Sequence, residues 1–252
     1  MRIAAFSGVH GNFWALKAVF RDIRDRGVHR VVNLGDSLLG PLAPRETAAL
    51  LRDSPVLSIR GHQDRLLFEK RGTATSDLMV AFVRCLLDGP TIRWLMFLRP
   101  TRMDRSGVLL CHGCSESVGP LCFLGISSPD VIPGPDADAH ASRPAQFRTA
   151  SSGARGLILC GRRKAFGKVV LSNGTMIVSP GILGLPASSG SRPFLHVWSS
   201  GSPHARYALI ESGCDGYQIQ PVEVVYPWDK AAASALANGR PDWAIWLRTG
   251  RA

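Results

Sequence analysis

Alternating apolar and polar blocks divide the first part of the chain into strand, helix, strand, helix and strand. Residues 2–7 form a short apolar run that ends in Ser7-Gly8. Phe13, Leu16, Val19, Phe20 and Ile23 then recur at three- and four-residue spacing, the period of one buried helical face. Asn12 is placed to cap that helix and Gly27 to stop it. Residues 28–34 predict a second strand, closed by Gly35-Asp36; residues 44–53 predict a helix and 56–60 a third strand. Strands joined in this way by helices run parallel through right-handed crossovers, with both faces of the sheet covered.

Further along, residues 63–98 carry helical patterning broken at Gly72 and at Gly89-Pro90, and residues 108–111 predict another strand. Residues 115–152 are rich in Pro, Ser, Asp and Ala and show little periodicity. They predict a long loop or insert beside the site, with at most a short helix; a functional lid and a flexible insertion both fit such a stretch. From Gly156 the pattern changes to short runs at 156–160, 168–171, 175–178, 205–211 and 217–226, with a turn signal at Ser172-Asn173-Gly174. This half predicts an antiparallel sheet. Residues 229–237 and 241–247 close the chain as helices. There is no internal repeat, and residues 1–252 are expected to form a single domain.

Composition narrows the partners. The formal net charge is +11, which favours nucleic acid, a membrane surface or small anions as ligands. The basic residues are mostly Arg and lie scattered, with no run of five, so nucleic acid is allowed but not favoured. The six cysteines (Cys85, Cys111, Cys114, Cys122, Cys160 and Cys214) lack the spacing of a small disulfide scaffold. No apolar stretch reaches the roughly 18 residues that cross a bilayer, and the N-terminus opens as a strand, not as a cleavable signal. A cytoplasmic protein with no membrane partner is expected. Trp243 and Trp246, three apart on the last helix, fit core packing or the face of a homo-oligomer.

Polar residues gather after successive strands: Ser7-Gly8-Val9-His10-Gly11-Asn12, Gly35-Asp36, Gly61-His62-Gln63-Asp64, His112-Gly113 and Gly161-Arg162-Arg163-Lys164. In an open α/β sheet that edge is where ligands bind. In order and placement, these segments resemble the calcineurin-like metallophosphoesterases, whose motifs are Asp-x-His, Gly-Asp, Gly-Asn-His-Asp, a His-Gly after a strand, and Gly-His-x-His. Ser179-Pro180-Gly181 and the run Tyr226 to Asp229 resemble the family's small bacterial branch. The resemblance covers nearly the whole chain. It implies a four-layer αββα sandwich of two mixed sheets flanked by helices, and two metal ions that activate water and clamp a phosphate.

The motifs depart from the family where its metals are held. The seven ligand positions align with Gly8, His10, Asp36, His62, His112, Arg162 and Lys164. His10, Asp36 and His112 are kept, and His62 replaces one competent ligand by another. Gly8 offers no side chain, Arg162 and Lys164 are cations, and the assisting His is Gln63, which cannot deliver a proton as imidazole does. A two-metal centre is therefore not expected. One divalent metal (Mn, Fe, Zn or Ni) on Asp36, His62 and His112 stays open, with His10 and Cys114 as further donors; so does a pocket with no metal at all. In that pocket Arg162, Arg163 and Lys164, with Asp64, would bind a small anionic ligand or phosphoester. A further alternative is metal-free acid–base catalysis (elimination, isomerisation or cyclisation) by His10, His62 and His112 beside Asp36. Cys111-His112-Gly113-Cys114 is a lone Cys-x-x-Cys, a weak zinc or redox signal.

Overall fold

The computed structural model describes residues 1–69, 78–113, 156–170, 174–190, 196–213 and 216–252. The first strand, β1 (Arg2–Phe6), feeds helix α1 (Phe13–Asp25) through the turn that holds His10. Asn12 caps α1, its side-chain oxygen accepting from the Ala15 amide at 3.1 Å. The fully buried Asn12 amide group also donates to the Gly184 carbonyl at 2.8 Å and to the Tyr226 hydroxyl at 3.1 Å, so one side chain starts the helix and pins two distant segments to it. Gly27, at φ 65°, ends the element as expected. Strand β2 (Val31–Asn33), helix α2 (Pro44–Arg52) and strand β3 (Val56–Ser58) follow. β1, β2 and β3 pair in parallel, as their helical connections require.

Helices α3 (His62–Leu66), α4 (Leu78–Leu86) and α5 (Gly89–Phe97) come next, then β4 (Thr101–Met103), β5 (Leu109–Cys111) and β6 (Leu157–Cys160). The remaining strands are β7 (Phe166–Val170), β8 (Met176–Pro180), β9 (Ala187–Gly190), β10 (His196–Ser199), β11 (Ala205–Gly213) and β12 (Gly216–Val224). Helices α6 (Trp228–Ala237) and α7 (Pro241–Thr249) close the chain. The strands form two five-stranded mixed sheets, ordered β12-β11-β1-β2-β3 and β4-β5-β6-β8-β7, with β9 and β10 as a separate pair.

The expectation of one antiparallel sheet after Gly156 is corrected here. β6 runs parallel to both β5 and β8, while β11 and β12 leave that sheet and pair antiparallel with β1 in the first. Short apolar runs do not reveal direction when both faces are buried. Strands β4, β9 and β10 were not predicted; at three and four residues they are too short to show a period. The predicted loop at 115–152 and the turn at Ser172-Asn173 lie outside the described residues.

The two sheets pack face to face. Ile3, Ala5, Val32, Leu34, Ala208 and Ile210 of the first meet Leu110, Leu157, Leu159 and Val178 of the second. The other face of the first sheet packs on α1, α6 and α7 through Phe6, Leu16, Val19, Tyr207, Trp243 and Trp246. Trp243 and Trp246 are thus core residues at 7% exposure each, not an oligomer face. At the strand ends the backbones of two loops cross in contact. A Cβ on Gly35 (φ 91°) would lie 2.3 Å from the Gly61 nitrogen, and one on Gly61 would lie 2.2 Å from Asp36 Oδ1.

That crossing admits no side chain. Gly35→Ala is expected to lower stability by at least about 3 kcal/mol, because strain and a backbone clash combine. Gly174 also has positive φ but nothing within 4 Å, so Gly174→Ala is expected to cost only about 1 kcal/mol. Denaturant titration of the two variants side by side reads the difference.

Candidate functional site

Two turns lock each other. Gly8, His10 and Gly11 donate backbone N–H bonds to the carbonyls of Gly35, Asp36 and Ser37 at 2.9, 3.2 and 2.9 Å. His10 and Asp36 take left-handed backbone conformations, at φ 51° and 57°, without being glycine. Such residues cost about 1–3 kcal/mol each and persist only where their surroundings hold them. The result aims both side chains at one point.

Asp64 organises this point from below. It is completely buried, and its two carboxylate oxygens accept from the amides of Asp36 (2.9 Å), Ser37 (2.8 Å) and Gly61 (2.9 Å). Burial and then the neighbouring Asp36 charge push its pKa up, against the pull of those amides. Asp64 therefore orients the backbone around Asp36.

Asp36 has both oxygens engaged by protein groups. Oδ1 accepts from the Gln63 amide at 2.7 Å, and Oδ2 lies 3.1 Å from His112 Nε2. His112 is buried, and its Nδ1 donates to the Leu34 carbonyl at 2.6 Å. With Nδ1 protonated, Nε2 must also carry a proton to bond Asp36, so the pair is imidazolium and carboxylate. Burial alone would lower the His112 pKa, but the Asp36 charge and hydrogen bond outweigh it and raise it to about 9. Burial would likewise raise Asp36; His112, then His10 and the Gln63 amide, hold it at about 2.

The other site histidines differ. His10 is buried, its Nδ1 bonded to the Leu39 carbonyl at 3.2 Å and its ring also hydrogen-bonded by the Gln63 side chain. Burial lowers its pKa, with His112 adding to the effect, so it is neutral near pH 7. His62 is exposed at the start of α3. Its pKa is lowered by partial burial, with Arg162 and Arg65 opposing another positive charge. Arg162 packs its stem on Gly113, where a Cβ would lie 2.7 Å from Arg162 Cδ. The structure thus gathers His10, Asp36, His62, Gln63, Asp64, His112 and Arg162. Lys164 reaches away to Ser188, with Nζ–Oγ at 2.9 Å, and the Arg163 guanidinium lies over Gly167, 3.5 Å from where its Cβ would stand. Cys114 lies outside the described residues.

Sequence reasoning missed three residues. Ile182 bridges to Ser7 and fills the space beside Gly8, where a Cβ would lie 3.0 Å from Ile182 Cγ2 and 3.2 Å from His10 Nε2. Gly40 passes so close to the His10 carbonyl that a Cβ would sit 2.1 Å from it. Trp243 packs edge-on against the His10 ring, with centroids 6.4 Å apart. Only the glycine spacing of Gly181-Ile182-Leu183-Gly184 hinted at a close approach.

These contacts bear on metal binding. The space a carboxylate would need at Gly8 is occupied by Ile182, and cations stand at 162 and 164. Among the described residues, no group of three His, Cys, Asp or Glu side chains stands together as a metal-holding set.

Against known proteins, no family model matches the chain. An uncharacterized protein of Methanocaldococcus jannaschii is 40% identical over 62 residues, 25% of this chain and 26% of that protein; the match thus spans about a quarter of the curated relative's length. Two solved structures match throughout. A metallophosphoesterase from Sphaerobacter thermophilus aligns at 21% identity and TM-score 0.64, covering 98% of each chain. A hypothetical protein from Pyrococcus horikoshii aligns at 18% identity and TM-score 0.65, covering 99% of this chain and 98% of its own. The chain has the calcineurin-like metallophosphoesterase fold. No helix among the described residues is long and apolar enough to cross a membrane.

The Asp36–His112 pair sets a pH window in chelator-treated protein. The His112 contribution is complete below the unfolded value of 6.5 and is lost as pH rises through about 9. The Asp36 contribution is present above 3.8 and is lost as pH falls toward about 2. Both describe one contact, so on the order of 3 kcal/mol is involved, counted once. Melting temperature should fall between pH 6.5 and 9 in the parent protein and much less steeply in His112→Gln.

Proposed function

We propose that this chain is a diverged phosphoesterase-fold protein whose pocket binds a small anion, a phosphate or phosphoester, without a two-metal centre. The Asp36–His112 ion pair carries this reading. A buried carboxylate needs a cation, and here a protein imidazolium supplies it at 3.1 Å. With Asp36 answered by His112, the Arg162 guanidinium beside His62 is the cation that would attract an anion. A guanidinium suits phosphate or carboxylate through its paired N–H donors. Movement of Lys164 from Ser188 would add a second cation. The phosphoesterase-like structural neighbour from Sphaerobacter thermophilus supports a phosphoester as the ligand class. A cytoplasmic setting fits Cys111 and Cys160, which face each other in register on β5 and β6 yet form no disulfide.

One observation favours a second reading, a phosphoesterase with a single metal. His112 and His10 each commit Nδ1 to a backbone carbonyl, the arrangement that presents Nε2 to a metal. Binding would require the 3.1 Å contact between His112 and Asp36 to open. Asp36, His62 and His112 would then be the ligands, and the ion would polarise a phosphoester oxygen.

Elemental analysis of protein purified without tag or chelator, paired with calorimetric titration of inorganic phosphate, separates the two. The anion-binding reading expects less than one tightly held metal per several chains, and phosphate binding weakened at least about tenfold in Arg162→Ala. About one Mn, Fe, Zn or Ni per chain, lost in Asp36→Asn together with metal-dependent phosphoester hydrolysis, would overturn it in favour of the second. Phosphate binding unchanged by Arg162→Ala would also overturn it.

A further inference from the structure

Four arginines meet at one edge of the fold. The outer strand of each sheet, β3 in the first and β4 in the second, lies on the same side of the sandwich. The Arg60 amide donates to the Arg99 carbonyl at 2.9 Å and joins them. Two cavities of about 460 and 480 Å³ open along this edge and share Arg102 and Met103 in their walls. Arg30, Arg99, Arg102 and Arg105 line them, with Asp104 as the single carboxylate.

That carboxylate is already engaged. Asp104 pairs with Arg30 and accepts from the amides of Ser106 (2.8 Å) and Val108 (3.0 Å). Arg99, Arg102 and Arg105 are exposed, and among the described residues their side chains make no hydrogen bond or ion pair. Three guanidinium groups with no internal counter-charge thus stand along one groove. Met103, 39% exposed, lies in the same walls, and Phe97 (84%) and Met96 (53%) are exposed at the end of α5, two and three residues before Arg99 in the chain.

We propose that this edge is a docking surface for single-stranded nucleic acid, with Arg99, Arg102 and Arg105 on successive phosphates and Phe97 offering its ring to a base. A cationic groove that tracks a backbone beside an exposed aromatic is how strands are bound without sequence preference. An acidic peptide is the weaker fit. Its affinity would come from adding a strand to the open edge, and β4 is three residues long, too short to supply many backbone bonds. The two cavities share no lining residue with the Asp36 site, although their Arg99 end adjoins it through Arg60, the neighbour of Gly61; the proposal does not depend on what that site binds.

Fluorescence anisotropy of the full chain with a labelled mixed-sequence strand about a dozen nucleotides long tests it. Three phosphate contacts predict that raising salt fourfold weakens binding about 20-fold. The triple variant Arg99→Ala, Arg102→Ala, Arg105→Ala should bind at least about tenfold more weakly, with a flattened salt dependence. Phe97→Ala should weaken binding about tenfold. Because these side chains are exposed, circular dichroism should show each variant folded. The control Arg21→Ala, Arg24→Ala removes two charges from exposed positions on α1 and should change little. Equal losses in the control and the triple variant would mean that net charge alone is responsible and would overturn the proposal, as would unchanged binding by the triple variant. Tighter binding of polyglutamate or of phosphatidylserine vesicles, equally sensitive to the triple variant, would overturn it in favour of an acidic protein or a membrane.

Discussion

A carboxylate enclosed by protein must be neutralised, and the Asp36 site is arranged around that requirement. Its two oxygens face one imidazolium and one backbone amide. Each neighbouring departure from the family pattern fits the same balance. A carboxylate at position 8 would add a second buried negative charge for His112 to answer, and the space there holds Ile182 instead. An imidazole at 63 would set a third ring beside His10 and His112. Gln63 is neutral and hydrogen-bonds His10 without titrating. Asp36 and His112 offset each other, and the Arg162 guanidinium stands beside them.

Backbone geometry comes before that chemistry. Asp36 reaches His112 because its loop takes a left-handed turn at φ 57°, and it can do so because Asp64 binds three amides of the two crossing loops. Gly35 and Gly61 permit a crossing that any Cβ would obstruct. This frame aims the Asp36 and His10 side chains at one place.

The first three strands and α1 were legible because each carries its own signal. Apolar runs of the right length alternate with a helical period, and Asn12 and Gly27 mark the helix ends. The polar clusters after the strands were legible for the same reason, since they sit at element boundaries that the sequence displays, and the structure brings His10, Asp36, His62 and His112 together. Direction and partnership in the second half were not legible. Cys111 and Cys160 are register neighbours on parallel strands, a fact set by sheet order and not by local pattern. Side-chain direction was also hidden. Arg162, Arg163 and Lys164 are consecutive, yet one stands by His62, one lies over Gly167 and one reaches Ser188. Ile182 and Trp243 were invisible because an apolar residue at a functional turn looks like any other core residue.

Charge shows the same limit from the other direction. A net charge of +11 says little while its carriers lie dispersed along the chain. Folding sorts them by partner. Arg2, Arg26 and Arg206 each meet a carboxylate within 3.0 Å, so their contribution to the outer field is largely cancelled. Arg99, Arg102 and Arg105 meet none among the described residues, and they occupy a span of seven residues across the end of β4. Exposed charges act over about a Debye length, near 10 Å, so guanidinium groups this close in the chain act together on a molecule that approaches the edge. Asp36 and His112 offset each other's charge, while the edge at β3 and β4 retains uncompensated positive charge. On the two proposals the anions differ: one would be small enough to enter beside His62, the other long enough to lie along a sheet edge.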